Sequence, residues 1–595
     1  PGPRQTRLQL VQNTVNAVDD APLFEGVLHR LRDLAELDPS LASPLATLQQ
    51  RVDAVRQKVN LLRPYEIVAD LSDALVLLRQ IKAQTSNEHV QFLLQKKEAD
   101  FQEAIRLASG LVLDVTVSDD TVAPGQEFNL TVSLINGGPL EFGGFRTVTD
   151  LPQGWTMAAD GSTGSLRPGQ RLDQKYKVKV PAAADYTQPF WLRQPRRGDR
   201  FVWPNVPGGA LPADEVLLST KADVEFRSNT ISIQKPAEFR RVDRMLGEQR
   251  TALKVVPSLS AVISPDIAIV PLKGSRQKEF TVTVENQHPA ALEGEVSLVL
   301  PAGWSVTPAV HAFSFAQQGE RASLQFVVSV PATPGDYIVR AVVKAGGQEV
   351  RSGYTTIAYP HIETRYVYGP AESKVAVLDV ATTVSSVGYV EGTGDTIPDS
   401  LRQLGINVTM LSPKDIATTD LSRFPAIVLG VRAYAVRDDL RAYNKRLLEY
   451  VSNGGTLIVQ YNRANEVGNI QIAPYPITLA NTNQNNSERV TREDAPVKIV
   501  DPTSSILSVP NRITSQDFEG WVDERGTFFL RLWDPRYVAP LSSADPEEPD
   551  RQGGLIAAKY GKGTYIYTGY SFFRQLPAGV KGAYRLFANL VSVEN

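Results

Sequence analysis

Two stretches of this chain spell the same pattern, and no other feature limits its folding more. Leu130-Thr-Val-Ser-Leu-Ile-Asn136 corresponds to Phe280-Thr-Val-Thr-Val-Glu-Asn286, and Leu151-Pro-Gln-Gly-Trp155 to Leu300-Pro-Ala-Gly-Trp304. Val180-Pro181 with Asp185-Tyr186 corresponds to Val330-Pro331 with Asp336-Tyr337. Asn to Trp is 19 residues in the first copy and 18 in the second; Trp to Pro is 26 and 27. Self-similarity on this scale demands two copies of one folding unit. Runs such as Leu111–Val117 and Phe128–Ile135, parted by the turn Val122-Ala-Pro-Gly125, have strand character. Two Ig-like β-sandwiches are therefore expected, over 110–250 and 251–360. Pro-x-Gly makes a turn at a strand end, and the Trp after it buries a large ring between sheets. An exposed Trp155 or Trp304 could stack on a sugar, but their common position in both copies favours the core.

Length and composition set the frame. A chain of 595 residues is too long for one hydrophobic core. A net charge of −3 gives no global electrostatic reason to expect nucleic acid or anionic lipid as a partner. No run of about 18 uninterrupted apolar residues occurs, so no spanning helix is expected. Zero cysteines exclude disulfides, thiolate nucleophiles and Cys-based metal sites, and with five histidines a metal site would rest on carboxylates. The first residue is Pro1; a removed leader, removed upstream protein, or a start part-way along a longer chain would each explain it.

Before the repeats, 1–109 reads as a helical segment. Phe24, Val27, Leu28, Leu31 and Leu34 fall at helical spacing, as do Val90, Leu93, Leu94, Phe101, Ala104 and Ile105. Asp38-Pro39 ends one helix, Ser43-Pro44 starts another, and Thr85 with Glu88 has capping-box spacing. After the repeats, 365–595 alternates strand and helix. Its strands are read at Lys374–Asp379, Asn407–Leu411, Ala426–Gly430 and Thr456–Gln460, with a helix over Leu440–Val451. That order predicts a parallel sheet with helices on both faces. A polar insertion spans 462–553, and the pattern resumes from Gly554 to a closing helix near Ala583–Val591.

Ligands of such sheets bind beyond the carboxyl ends of the strands. Asp379, Asp395, Arg432, Tyr434, Gln460 and Asn462 are the candidates there. Gly392 and Gly394 before a helix could cradle an anion, though a tight turn is the better reading. A carboxylate-dependent hydrolase would draw on Asp379, Asp395, Asp494, Asp517, Asp523 and Glu524. In the longer first repeat, Phe190–Trp203 interleaves aromatics with arginines. Trp191, Arg193 and Arg197 are its candidates for a sugar or anionic polymer, against a plain solvated basic loop. Arg197-Gly198-Asp199 matches an adhesion tripeptide, which three residues can do by chance.

Two resemblances follow from these residues. The turn Leu429–Ala433 resembles the nucleophile elbow of class I glutamine amidotransferases, and Gly561-Lys-Gly563 resembles a late strand of trehalose-utilisation-type domains. The resemblance implies a flavodoxin-like α/β fold. It does not carry the chemistry, because Val431 and Arg432 stand where Cys is needed and no histidine follows His361. More widely, Gly392–Pro398, Gly430–Tyr434, Val459–Asn462, Trp533–Tyr537 and Ser571–Gly579 resemble the carboxyl-terminal region of long bacterial PIG-L (LmbE-like) deacetylases. That family places a zinc N-deacetylase first, then helices, sandwiches of the NPCBM-associated type, and an amidotransferase-like domain. Its Pro-His-Pro-Asp-Asp run is missing here: His288-Pro289 and Pro360-His361 lack the Asp pair, and His29 and His89 are single. The resemblance thus implies a non-catalytic region of a periplasmic or extracellular protein. It implies no cofactor in this chain, zinc only in an upstream deacetylase domain, and glycan or a larger envelope complex as partner. A purely structural subunit of a surface or membrane-associated complex is the second possibility.

Overall fold

The computed structural model describes residues 27–158, 163–198, 200–203, 216–227, 229–468, 470–480 and 488–594. Pro1, Phe24 and Asp199 of the motifs above lie outside them. The chain divides into two compact units, Pro1–Ser258 with Thr356–Val367, and Leu259–Thr355 with Tyr368–Asn595.

In the first unit, helices Ala42–Lys58, Val68–Gln84 and Glu88–Ser109 precede the first sandwich. Their ends differ from the expected ones. The first grows out of a 3-10 turn, Pro39–Leu41, whose amide Ser40 is capped by the Asp38 carboxylate, so Ser43 is already helical. The third is capped by Asn87, which accepts from the His89 and Val90 amides, while the Thr85 hydroxyl donates instead to Asp38 at 2.6 Å. Leu45, Leu48, Leu75, Leu78, Val90, Leu94 and Ile105 are fully buried, in one continuous core with the sandwich. Polar ties fix the docking: Arg79 donates to Asn229 Oδ1 at 2.6 Å, and the Ser232 amide donates to Gln102 at 2.7 Å.

At Leu111 the side-chain period becomes two, and Leu111, Leu113, Val115 and Val117 all point inward. One sheet orders as 247–252, 238–243, 111–117, 127–136, 171–179 and 156–157; the facing sheet as 163–166, 142–150, 219–226 and 229–236. The second unit repeats this plan with 259–264, 277–286, 321–329 and 305–307 against 267–271, 372–378, 335–345, 292–299 and 310–315.

The shared residues do the same work in both copies. Asn136 and Asn286 are fully buried. Asn136 Nδ2 donates to the Leu140 and Leu166 carbonyls and its Oδ1 accepts from Gly138; Asn286 does this with His288, Gln317 and His288. Each holds together the ends of two strands that would otherwise leave unpaired carbonyls. Gly154 and Gly303 take φ of +82° and +81°, a conformation that lets the Trp155 and Trp304 amides close onto the carbonyls of Pro152 and Pro301.

One expected strand belongs elsewhere. Glu372–Leu378 is not the first strand of the α/β sheet; it pairs with 267–271 and 335–345 in the second sandwich. Val375 and Val377 enter the sandwich core, whereas Ala376 and Leu378 join the core under the α/β sheet. Covered on both faces, it has the unbroken apolar run that a parallel strand also shows. The α/β sheet instead starts at Ser386–Val390 and orders as 407–410, 386–390, 426–429, 456–460, 563–568 and 555–560, all parallel except the last. Helices Ile397–Gln403 and Lys581–Val591 share one core with it, and Asp438–Ser452 the other. Much of the insertion is packed rather than solvated: Phe518, Trp521 and Phe529 are buried, and buried Arg525 donates to the Ala495 carbonyl at 2.7 Å.

Candidate functional site

Five of the six residues expected at the carboxyl edge of the α/β sheet do converge. Asp395 accepts from the Tyr389 hydroxyl at 2.5 Å and from the amides of Ile397 and Val431. Burial, then the Asp395 charge, pushes the Tyr389 phenol well above its ordinary range. Gln460 Nε2 donates to the Tyr389 oxygen at 3.3 Å, and Asn462, fully buried, donates to the Gln460 carbonyl. Tyr434 donates to Asn444 at 2.7 Å, and burial raises its phenol too.

Arg432 has φ 53° and ψ 34°, a costly conformation for a non-glycine residue, and its Nε lies 3.0 Å from both oxygens of Glu466. Glu466 in turn raises the guanidinium pKa. The network is internal. Tyr461 stacks on Phe528 at 5.3 Å, and Arg463 and Arg574 lie over Phe528 and Phe573.

The remaining carboxylates are dispersed. Asp379 follows the sandwich strand and is exposed, so it is not at this edge. Asp494 pairs with Arg492, Asp517 with Arg585, and Asp523 and Glu524 with Arg574. Among the described residues no group of three or more His, Asp or Glu could hold a metal.

A second cleft opens in the first sandwich. The Pro-x-Gly-Trp turn, the segment Asp185–Gln188 and the start of the aromatic–arginine elaboration enclose a cleft of about 390 Å³. Trp155, Gln153, Asp185, Tyr186, Gln188 and Arg193 line it. Trp155 is anchored from below by Phe128, ring centroids 5.9 Å apart and edge-on, and keeps 8% of its surface. Thr187 pins the wall: its amide donates to the Val255 carbonyl and its hydroxyl accepts from the Val255 amide, both at 2.9 Å. An apolar ring beside a carboxylate, two amides, a phenol and a guanidinium can cover an apolar face while hydrogen-bonding a ligand's edge.

Of the three residues expected in the elaboration, only Arg193 reaches the cleft. Trp191 stacks on Trp203 at 6.4 Å with Phe190 against both, and Arg197 is exposed in a turn closed on Arg200. Nothing in the sequence marks Asp185, Tyr186 and Gln188 as ligand contacts, although the repeated Asp-Tyr marks the place.

The second copy packs the equivalent residues differently. Lys278 stands where the first copy has Phe128, its ammonium donating to the Ile269 carbonyl at 3.1 Å. Trp304 is half-buried and takes Tyr337 as its partner, centroids 5.1 Å apart, while the Tyr337 hydroxyl donates to the Thr333 carbonyl.

Both sandwiches match one family. Residues 122–189 and 273–346 fit the model of the NPCBM-associated, NEW3 domain of alpha-galactosidase. The two matches cover the equivalent stretch of each copy, and Arg193 lies just beyond the first. No curated protein matches the chain. Among solved structures, similar ones include the β-galactosidase of Rahnella sp. R3, with 15% identity over 35% of this chain and 31% of that one, TM-score 0.23. The β-galactosidase of Bacillus circulans sp. alkalophilus shares 14% over 36% and 31%, TM-score 0.23. The α-2-macroglobulin of E. coli shares 13% over 45% and 17%, TM-score 0.16. The chain thus spans less than a third of the length of each.

Proposed function

We propose that the chain is a non-catalytic accessory region that holds glycan in the cleft of its first sandwich. The observation that carries this reading is the open cleft, walled by Trp155, Tyr186 and Arg193, within a domain that fits a family described from an alpha-galactosidase. In this reading both sandwiches are Ig-like. The α/β part is a flavodoxin-like, class I amidotransferase-like fold without its chemistry. Its strand order, in which the second strand lies outside the first, supports the fold, and Arg432 at positive φ in the elbow position supports the loss of the nucleophile. The motifs shared with PIG-L deacetylases support a zinc N-deacetylase as the catalytic neighbour, in the periplasm or outside the cell.

A glycan-array screen of the chain, followed by titration of any hit, tests the proposal. Tyr186→Ala and Arg193→Ala, both at exposed side chains, should weaken binding at least tenfold without changing the melting temperature. Absence of any retained glycan, or equal binding by both variants, would favour a purely structural role instead.

A further inference from the structure

In the first sandwich, strands Glu238–Asp243 and Gly247–Ala252 form a hairpin with an unusual tip. Met245 is 94% exposed, Val242 80% and Leu246 71%. Single exposed apolar residues are ordinary, but three at one turn call for a partner. Charge at the tip is sorted by sign. The Asp243 carboxylate is turned into the loop, accepting from the Met245 and Leu246 amides at 2.8 and 2.9 Å. Glu248 is held by Arg250 at 2.7 Å. The exposed side chains of Arg241 and Arg244 enter no hydrogen bond or ion pair among the described residues. The tip therefore offers three exposed apolar side chains and the exposed guanidiniums of Arg241 and Arg244, Arg241 also acting on the Asp243 carboxylate that closes the turn.

We propose that this tip is a membrane-surface contact whose partner is an anionic phospholipid bilayer. Apolar side chains would enter the headgroup boundary while Arg241 and Arg244 meet phosphates, the pairing that interfacial segments use. A folded protein partner fits less well, since stable interfaces need a broad apolar patch. Here the hairpin flanks carry Arg240, tied to Asp114 at 2.9 Å, and Arg250, tied to Asp114 at 2.8 Å. Among the described residues no helix is long and apolar enough to cross a membrane.

Co-sedimentation of the full chain with phosphatidylcholine vesicles, with and without 30 mol% phosphatidylglycerol (~30%, enough to give a negative surface potential), tests this. Binding should require the anionic lipid, fall at least tenfold in M245E/L246E and several-fold in R241Q/R244Q. With no native cysteine, Met245→Cys carries a single environment-sensitive NBD label. Its emission should brighten and shift blue only with anionic vesicles. Failure to sediment with either vesicle, sedimentation unchanged in M245E/L246E, or an NBD spectrum indifferent to lipid would overturn the proposal and leave a protein partner for the tip. None of these results depends on glycan binding.

Discussion

The two sandwiches share a scaffold and differ in one aromatic pair. In the first, Phe128 props Trp155 from below and the exposed Tyr186 lines the cleft wall. In the second, Lys278 replaces the prop, Trp304 lifts to half-buried, and Tyr337 folds over it. The residue before Asp-Tyr permits this. Gly335 has no side chain, and a Cβ there would lie 3.2 Å from the Tyr337 ring; the first copy has Ala184 at the matching place. A duplicated domain has thus kept its turn and its Trp while burying that Trp against Phe128 in one copy and leaving it half-buried beside Tyr337 in the other.

The largest expected effect lies in what the copies share. Asn136→Ala and Asn286→Ala each strand two carbonyls and an amide in the core, so each should cost about 3–5 kcal/mol in denaturant unfolding. Unequal losses would break the equivalence of the scaffolds. Next comes the prop. Burial lowers the Lys278 pKa to about 8. Between pH 8 and the ordinary lysine range the unfolded chain binds the extra proton, so wild-type stability rises with pH across that window. Lys278→Met should therefore stabilise the second unit by about 1–3 kcal/mol at pH 7, an advantage that shrinks as pH climbs above 8. A pH-independent gain would show that burial of the ammonium is not its source.

The tyrosines should separate stability from binding. Tyr337→Ala loses the contact with Trp304 and should cost about 1–2 kcal/mol with glycan affinity unchanged. Tyr186→Ala should do the reverse, weakening glycan binding with a smaller stability loss than Tyr337→Ala. Last and most pointed, Gly335→Ala puts a side chain at φ +159° and should cost about 1–3 kcal/mol while displacing Tyr337. Enhanced quenching of Trp304 fluorescence by acrylamide would report the opening.

Much of this plan is legible in the primary structure, and the reasons for the remainder are physical. Fixed spacing of Asn, Pro-x-Gly-Trp and Asp-Tyr marks two equivalent units, because each residue meets a backbone need that every copy has. Helix 438–452 and strands 426–429 and 456–460 follow from periodicity. Strand 372–378 reads as an α/β strand from sequence because an apolar run records only that both faces are covered, and a sandwich on one side and an α/β core on the other do that. The network at Asp395, Arg432 and Gln460 could be placed at one sheet edge from sequence, but its closure depends on Phe528 and Phe573, far along the chain. The repeat itself hides the cleft: identical Asp-Tyr pairs sit beside different neighbours, Phe128 and Ala184 in one copy, Lys278 and Gly335 in the other.

Hydrogen exchange with a bound glycan addresses the central claim most directly. Amides at Gln153–Trp155 and Asp185–Gln188 should gain protection, while Gly303–Trp304 and Asp336–Tyr337 stay unchanged. Protection of both copies, or of the second alone, would contradict it.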